Sequence, residues 1–294
     1  MVEIVYENEA WLPFFVDALD EIGVSHRLNF IETTELNLSQ PPDNVIFFNR
    51  VSPSAHARGH RLSHIRAEQY LEYLAAYNRV VINDKRTIDY ELSKVAQYQL
   101  LKRHGLAYPP TVFGSDREEL ISASGRLIFP VLTKHNCSGN GIGMHRFDRP
   151  AELRSYLQSE EFEPSPDGIL LIQQYIEPRH DRVTRVELID GELVYGLHAD
   201  TSAGFGLCPA AADGGDGSPF ALIPDFEHPL VAKYQNLMDE TGFDMAGIEF
   251  VESVNGMTYT LDINGTTTYA QSIEQASGGL ARQAFQRMIK KRLG

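Results

Sequence analysis

EFVESVNGMTYTLDIN, residues 249–264, is written as a hairpin. Two apolar-rich runs, Gly247–Val254 and Met257–Ile263, flank Asn255-Gly256, a dipeptide suited to a two-residue type I′ turn. Setting Val254 opposite Met257 and counting back places Glu249 directly across from Asp262. Partners so placed share a face with Cβ atoms about 4.5–5.5 Å apart, and like charges there are destabilising. Asn264, two residues beyond Asp262, points the same way. Ile248, Phe250, Leu261 and Ile263 turn the other face to a core. Two carboxylates and an amide oxygen on one face describe a hard oxygen site of the kind Mg²⁺ takes. A solvated polar face is the competing reading, and an uncompensated acidic pair argues against it.

A second stretch sharpens the first. TKHNCSGNGIGMHRF, residues 133–147, carries a lysine at the end of an apolar run, then Gly139, Gly141 and Gly143. A P-loop needs Gly-Lys-Ser/Thr opening a helix, and a dinucleotide fingerprint also needs a helix after its glycines. Here the lysine comes first. Ile142, Met144 and Arg146 then alternate with Gly143, His145 and Phe147, which is strand periodicity, so the arrangement is strand, loop, strand. Bare glycines let backbone N–H groups approach phosphate oxygens and let a loop move. Taken alone, the stretch reads equally as a flexible hairpin with no ligand.

Around these two stretches the chain alternates elements. Glu3–Tyr6, Val45–Phe48 and Val80–Ile82 read as strands. Trp11 to Ile22 and Ile65 to Tyr77 show helical spacing between them, giving a small parallel-sheet unit. Ile88, Leu92, Ala96 and Leu100 predict one helix stopped by Gly105 and Pro109-Pro110. Strands are expected at Leu127–Thr133 and Ile169–Ile176, with a helix over Pro150–Leu157 between them. Val186–Ile189 and Glu192–Tyr195 form a second hairpin about Asp190-Gly191. Cys208–Pro229 is glycine-rich and reads as a mobile loop. A helix over Leu280–Met288 closes the chain.

The 294 residues carry a formal net charge of −14, which argues against nucleic acid or an anionic membrane as partner. No apolar run approaches the ~20 residues of a membrane span. Two cysteines, Cys137 and Cys208, make no disulfide framework, so a cytoplasmic location is expected.

In order, a lysine-bearing helix, a strand ending in Lys134, the glycine loop, IQQYIEP, GIEF and LDIN resemble the ATP-grasp superfamily, within it the branch of ribosomal-protein glutamate ligases and glutathione synthetases. The resemblance covers roughly residues 85–270. It implies an α/β fold with an α+β ATP-grasp core of two subdomains, 87–174 and 175–294, after a small parallel-sheet domain, 1–86. It implies ATP with Mg²⁺ (or Mn²⁺), transfer of the γ-phosphoryl group to a carboxylate, and attack by an amine to give an amide, ADP and phosphate. Catalysis would be mostly positioning and charge neutralisation. A phosphotransferase on the same fold, or a nucleotide-binding module without turnover, are the alternatives. Substrates are expected to be small and amino-acid-like, or peptides, and homo-oligomerisation stays open.

Residue by residue, the resemblance places Lys94, Lys134, Ser138, Gly139, Asn140, Gly141, Ile142 and Gly143 on the nucleotide. The backbone of Gln173, Gln174, Tyr175 and Ile176 would meet adenine. Arg185 and Lys134 would act at the transferred phosphoryl group. Glu249, Asp262 and Asn264 match the metal triad, with the usual Asp and Glu exchanged. Val183 stands where a ribose-binding acid is expected, leaving Asp181 or Glu187 to substitute. Gly206-Leu207-Cys208-Pro209 replaces an Arg-Ser-Asn segment. Substrate candidates are Arg50 and Ser52 after a strand end, where α/β domains hold ligands, His198 on the first hairpin, and Thr266 and Thr268 after the triad. His56, His60 and His64 lie four apart but show no acidic support for a metal. Cys137 has no basic partner for a nucleophile's role.

Overall fold

The structure is a computed structural model and describes residues 1–200 and 220–294. It opens with β1 (Val2–Tyr6), α1 (Pro13–Glu21), β2 (His26–Phe30), β3 (Ile46–Arg50), α2 (Ser63–Ala76) and β4 (Val81–Ile82). The strands form a parallel sheet in the order β2-β1-β3-β4. Both faces are covered, so β1 and β3 are apolar almost throughout. Ile4 and Phe48 pack with Phe15 and Leu19 of α1 on one face, and Val5 and Phe47 with Leu71 and Leu74 of α2 on the other. The sequence reading missed β2. Its HRLNF carries polar residues because it is an edge strand, and Glu3 of β1 accepts from both Arg27 and Asn29.

The single helix expected over Ile88–Leu100 is two, α3 (Lys85–Glu91) and α4 (Lys94–Arg103). Ser93 breaks it, its side-chain oxygen accepting from the Ala96 N–H at 3.2 Å as an N-cap. Four-residue spacing cannot reveal such a break, because the apolar stripe continues across it. Next come β5 (Thr111–Gly114), α5 (Arg117–Ser124), β6 (Val131–His135), β7 (Arg146–Phe147), α6 (Pro150–Gln158) and β8 (Leu170–Gln174). They build an antiparallel sheet in the order β5-β8-β6-β7, packed on α5 and α6. The strand periodicity read from Ile142 onward is realised only at Arg146–Phe147, with turns before it.

The last sheet holds β9 (Arg182–Ile189), β10 (Glu192–Asp200), β11 (Phe220–Ile223), then, after α7 (Leu230–Thr241), β12 (Met245–Glu252) and β13 (Thr258–Asn264), followed by α8 (Gln271–Ser277) and α9 (Leu280–Leu293). Its order is β11-β10-β9-β12-β13, antiparallel throughout. One face carries Val186, Leu188 and Ile248 against α4 and α7; the other joins α9 and α1 in the N-terminal core. Of the loop expected over Cys208–Pro229, Phe220–Ile223 is strand β11, paired with β10. Residues 208–219, with the Gly206–Pro209 segment, lie outside the described residues. Among those described, no helix is long and apolar enough to cross a membrane.

The two hairpin turns differ. Asp190 and Gly191 both take positive φ, +50° and +76°, as a type I′ turn requires. At the other turn only Gly256 does, at +83°. Its N–H donates to Ser253 O at 2.9 Å, and Ser253 N–H to Met257 O at 2.8 Å, a three-residue loop closed by a left-handed glycine. Glu252 therefore faces Thr258, one residue out of the register counted from the sequence. Between Phe250↔Thr260 and Glu249↔Asp262 the register shifts back, leaving Leu261 as the extra residue of a β-bulge. Glu249 and Asp262 are partners as expected, by way of two offsets that cancel.

Candidate active site

A cleft between the β5-β8-β6-β7 sheet and the five-stranded sheet is lined by Lys94, Lys134, residues 138–142, residues 173–176, Arg185, Glu249, Asp262 and Asn264, with Ser52, Thr266 and Thr268. It encloses about 1290 Å³ of free space, its open mouth included, ample for a cofactor-sized ligand. Nearly every residue singled out from the sequence converges here.

Lys134, on β6, is 6% exposed. Its ammonium makes only long contacts, each 3.4 Å, to the Tyr98 hydroxyl, Gln173 Oε1 and the Leu261 carbonyl. Leu261 is the bulge residue, and a bulge leaves its extra residue out of the ladder, so that carbonyl is free to turn to the lysine. Burial pushes the Lys134 pKa down, against the pull of Asp262 and Glu249. Among the described residues, no carboxylate is bonded to this buried cation.

The acidic pair is not uncompensated, as the sequence reading had it. Lys94 opens α4 and donates to Asp262 Oδ1 at 2.6 Å. Arg185, on β9, donates through Nη1 to Glu249 at 2.7 Å, through Nε to Glu187 at 2.6 Å, and through Nη2 to Thr267 Oγ1 at 2.9 Å. Burial opposes charge on Arg185, but Glu187 and Glu249 outweigh it and push its pKa up. Burial raises the Glu249 carboxyl, with Arg185 opposing and Asp262 adding to the rise. Each carboxylate thus has its own cation on one side and the cleft on the other.

The site end of β13 is held from outside the hairpin. Gln97 of α4 donates to the Ile263 carbonyl at 2.8 Å and accepts from its N–H at 3.1 Å, an amide pair that imitates a neighbouring strand. Glu91, at the end of α3, accepts from the Gly265 N–H and from Thr266 Oγ1, the latter at 2.6 Å. The helix break therefore places Glu91 and Lys94 on either side of the triad.

The glycine loop closes over the cleft. Gly141 and Gly143 sit at φ +72° and Asn140 at +57°, conformations that favour glycine or asparagine. Asn140 Nδ2 donates to Ser54 Oγ at 3.4 Å, tying the loop to the segment after β3. Gly143 does not line the cleft; it lies over His135, where a Cβ would sit 2.3 Å from Nε2. The Ser138 hydroxyl is buried in the cleft wall with no partner. In the adenine segment, Gln174 N–H donates to Pro110 O at 2.8 Å and Tyr175 N–H to Pro130 O at 2.9 Å, while Ile176 N–H has no backbone acceptor among the described residues.

Four candidates lie elsewhere. His198 pairs with Thr184 and so points to the sheet face opposite Arg185, into a second, smaller depression with His228 and Glu252. Asp181 precedes β9 at φ +50° and does not line the cleft. Glu187 is 1% exposed and committed to Arg185 and Thr267, so it is not available to a ribose. Arg50 is buried beyond the cleft lining. His60 faces Glu32, and among the described residues no cluster of three His, Cys, Asp or Glu could hold a metal. Burial pushes the Cys137 thiol up to about 11, unlike a nucleophile's.

The sequence reading passed over Gly247. A Cβ there would stand 1.9 Å from Arg185 Nη2. A glycine inside a strand signals such a close approach. Gly247→Ala is expected to dislodge the guanidinium and lower kcat about 100-fold, of the order found on removing one preorganised charge contact, with the far-ultraviolet dichroism unchanged. Steady-state kinetics within about twofold of the parent would show that Arg185 needs no such room.

A RimK-like ATP-grasp domain matches residues 92–286. The chain belongs to the RimK-like ATP-grasp family. Among curated relatives, a probable alpha-L-glutamate ligase of Aeromonas salmonicida (strain A449) is 23% identical over 206 residues, 68% of this chain and 64% of the relative. The alpha-aminoadipate–LysW ligase LysX of Sulfurisphaera tokodaii is 24% identical over 193 residues, 65% of each. The chain thus spans about two thirds of the length of these relatives. A solved RimK domain ATP-grasp protein from Sphaerobacter thermophilus DSM 20745 superposes with a TM-score of 0.70 at 15% identity, covering 98% of both chains. That likeness establishes the fold.

Proposed function

We propose that the chain is an ATP-dependent carboxylate–amine ligase that releases ADP and phosphate. The observation that carries the reading is Lys134: a buried ammonium without a carboxylate partner, facing a cleft that also holds a glycine loop and an acidic pair. A buried cation held so weakly is suited to an anionic ligand. The unpartnered Ser138 hydroxyl supplies a further donor for phosphate oxygens. The oxygen donors of Glu249, Asp262 and Asn264 fit Mg²⁺, or Mn²⁺, better than softer metals; when bound, the ion would neutralise phosphate charge.

On this reading Glu249, Asp262 and Asn264 would hold the ion, and Lys94 and Lys134 would meet the phosphates. Arg185 fixes the orientation of Glu249, and the Ile176 amide is the adenine donor. Residues 138–143 exclude water from the activated carboxylate. Thr266–Thr268 border the acceptor side. The units 1–86, 87–174 and 175–294 then correspond to an N-terminal domain and two grasping subdomains, with α4 packed across the last boundary. The names of the relatives favour amino-acid or peptide substrates.

The test is a screen of amino-acid pairs, and of peptides with amino acids, for ADP release, with mass spectrometry of the products. An amide with ADP and phosphate, dependent on both carboxylate and amine, is expected. A phosphorylated product without an amide would make the chain a phosphotransferase, and AMP with pyrophosphate would exclude both.

A further inference from the structure

Arg50 ends β3 and is 2% exposed. Among the described residues, none of its three guanidinium nitrogens has a hydrogen-bond partner. The face of the group is covered: Cζ lies 4.4 Å from the Phe15 ring centroid and 5.5 Å from that of Phe48. Rings can stack on a guanidinium but cannot take its in-plane N–H donors. Removing a charge from water without such acceptors is costly.

The neighbouring acids do not supply them. Glu7 accepts from Arg58 and from the Ser52 N–H. Glu187 accepts from Arg185 and Thr267, and Glu91 from Gly265 and Thr266. These acids offset the charge of Arg50 at a distance while their oxygens are bonded to other donors. Burial still pushes the Arg50 pKa down to about 10, leaving it cationic at neutral pH.

Tyr269 completes the feature. Its ring lies 6.1 Å from the same Phe15 ring, and its hydroxyl is buried without a partner among the described residues. Two residues after Arg50, Ser52 lines the cleft; one residue before Tyr269, Thr268 does. The bordering segments, 51–54 and 265–270, are outside helices and strands. A planar fork of N–H donors and a phenol, both packed on the Phe15 ring, match a carboxylate, which can accept from both at once.

We propose that Arg50 and Tyr269 form a receptor for a free carboxylate of the substrate, one that is not activated and survives in the product. The assignment deepens the ligase reading and rests on it for the owner of that carboxylate. Substrates would therefore be amino acids or peptides presenting a free carboxylate in addition to the group that reacts.

Two measurements test it. Without nucleotide, acetate is compared with chloride at equal ionic strength by thermal unfolding. Acetate should raise the midpoint of the parent and not of Arg50→Met, with Arg50→Lys in between; equal responses in parent and variants, or none in the parent, overturn the proposal. In the second, the twenty free amino acids and their α-carboxamides are compared in ADP release. The parent should prefer acid over amide about 100-fold in kcat/KM, the scale of losing one hydrogen bond to a charged group. Arg50→Met should erase that preference with the KM for ATP unchanged, whereas an unaltered preference overturns the receptor. If nothing in the panel releases ADP, free amino acids are not the substrates, and the acetate comparison still decides whether Arg50 binds a carboxylate.

Discussion

Lys134→Met is expected to weaken ATP binding about 100-fold, close to 2.7 kcal/mol, while leaving the unliganded protein as stable as the parent or more so. The two effects have one cause. The ammonium is buried against a hydroxyl, an amide oxygen and a carbonyl, all at 3.4 Å. Such contacts return only part of what the ammonium loses on leaving water. Methionine keeps the stem in the core and removes the charge. Calorimetric titration with ATP and Mg²⁺, set beside urea unfolding, reads both quantities. A variant that binds ATP like the parent would remove Lys134 from the site, and one that binds poorly because it is unfolded would be exposed by the second curve.

Asp262→Asn should abolish turnover, by at least about 1,000-fold or 4 kcal/mol of barrier, and should also destabilise the free protein. The sequence reading expects the opposite sign for stability, since it sees like charges facing each other. The structure reverses it: the change strands Lys94, whose side chain is 8% exposed. Breaking a buried pair from one side is costly, about 3–5 kcal/mol when burial is complete, and less here because Asp262 keeps some contact with solvent. Adding Lys94→Met to Asp262→Asn should restore the urea midpoint and leave the enzyme inactive. Activity in the double variant would mean that the carboxylate serves Lys94 alone and no metal.

The parts of the molecule legible in the sequence are those with local causes. Asp190-Gly191 announces its turn because both residues must take positive φ. The glycine loop is readable because the residues before and after it exclude a helix. What escapes is set by tertiary partners. The β2 strand carries polar residues that answer to Glu3 across the sheet edge. The break between α3 and α4 is invisible in the apolar stripe. No spacing rule could pair Lys94 with Asp262 or Arg185 with Glu249, since each pair joins separate elements. His198 is a substrate candidate on the first hairpin, and strand register turns it to the face opposite Arg185.

The extra residue at Leu261 separates two kinds of obligation within one hairpin. Beyond it, toward residues 253–257, the chain answers to the segment that follows β8: Val254 N–H donates to Glu177 O at 3.3 Å and Arg179 N–H to Glu252 O at 2.8 Å. Before it, Asp262 to Asn264 are indexed to α3 and α4 through Gln97 and Glu91. The ladder is interrupted at 261, between these two anchorages. The same interruption presents the Leu261 carbonyl to Lys134. Residues 253 and 254 are thus held to 178 and 177, while any drift at 261 reaches the acidic pair and the lysine together.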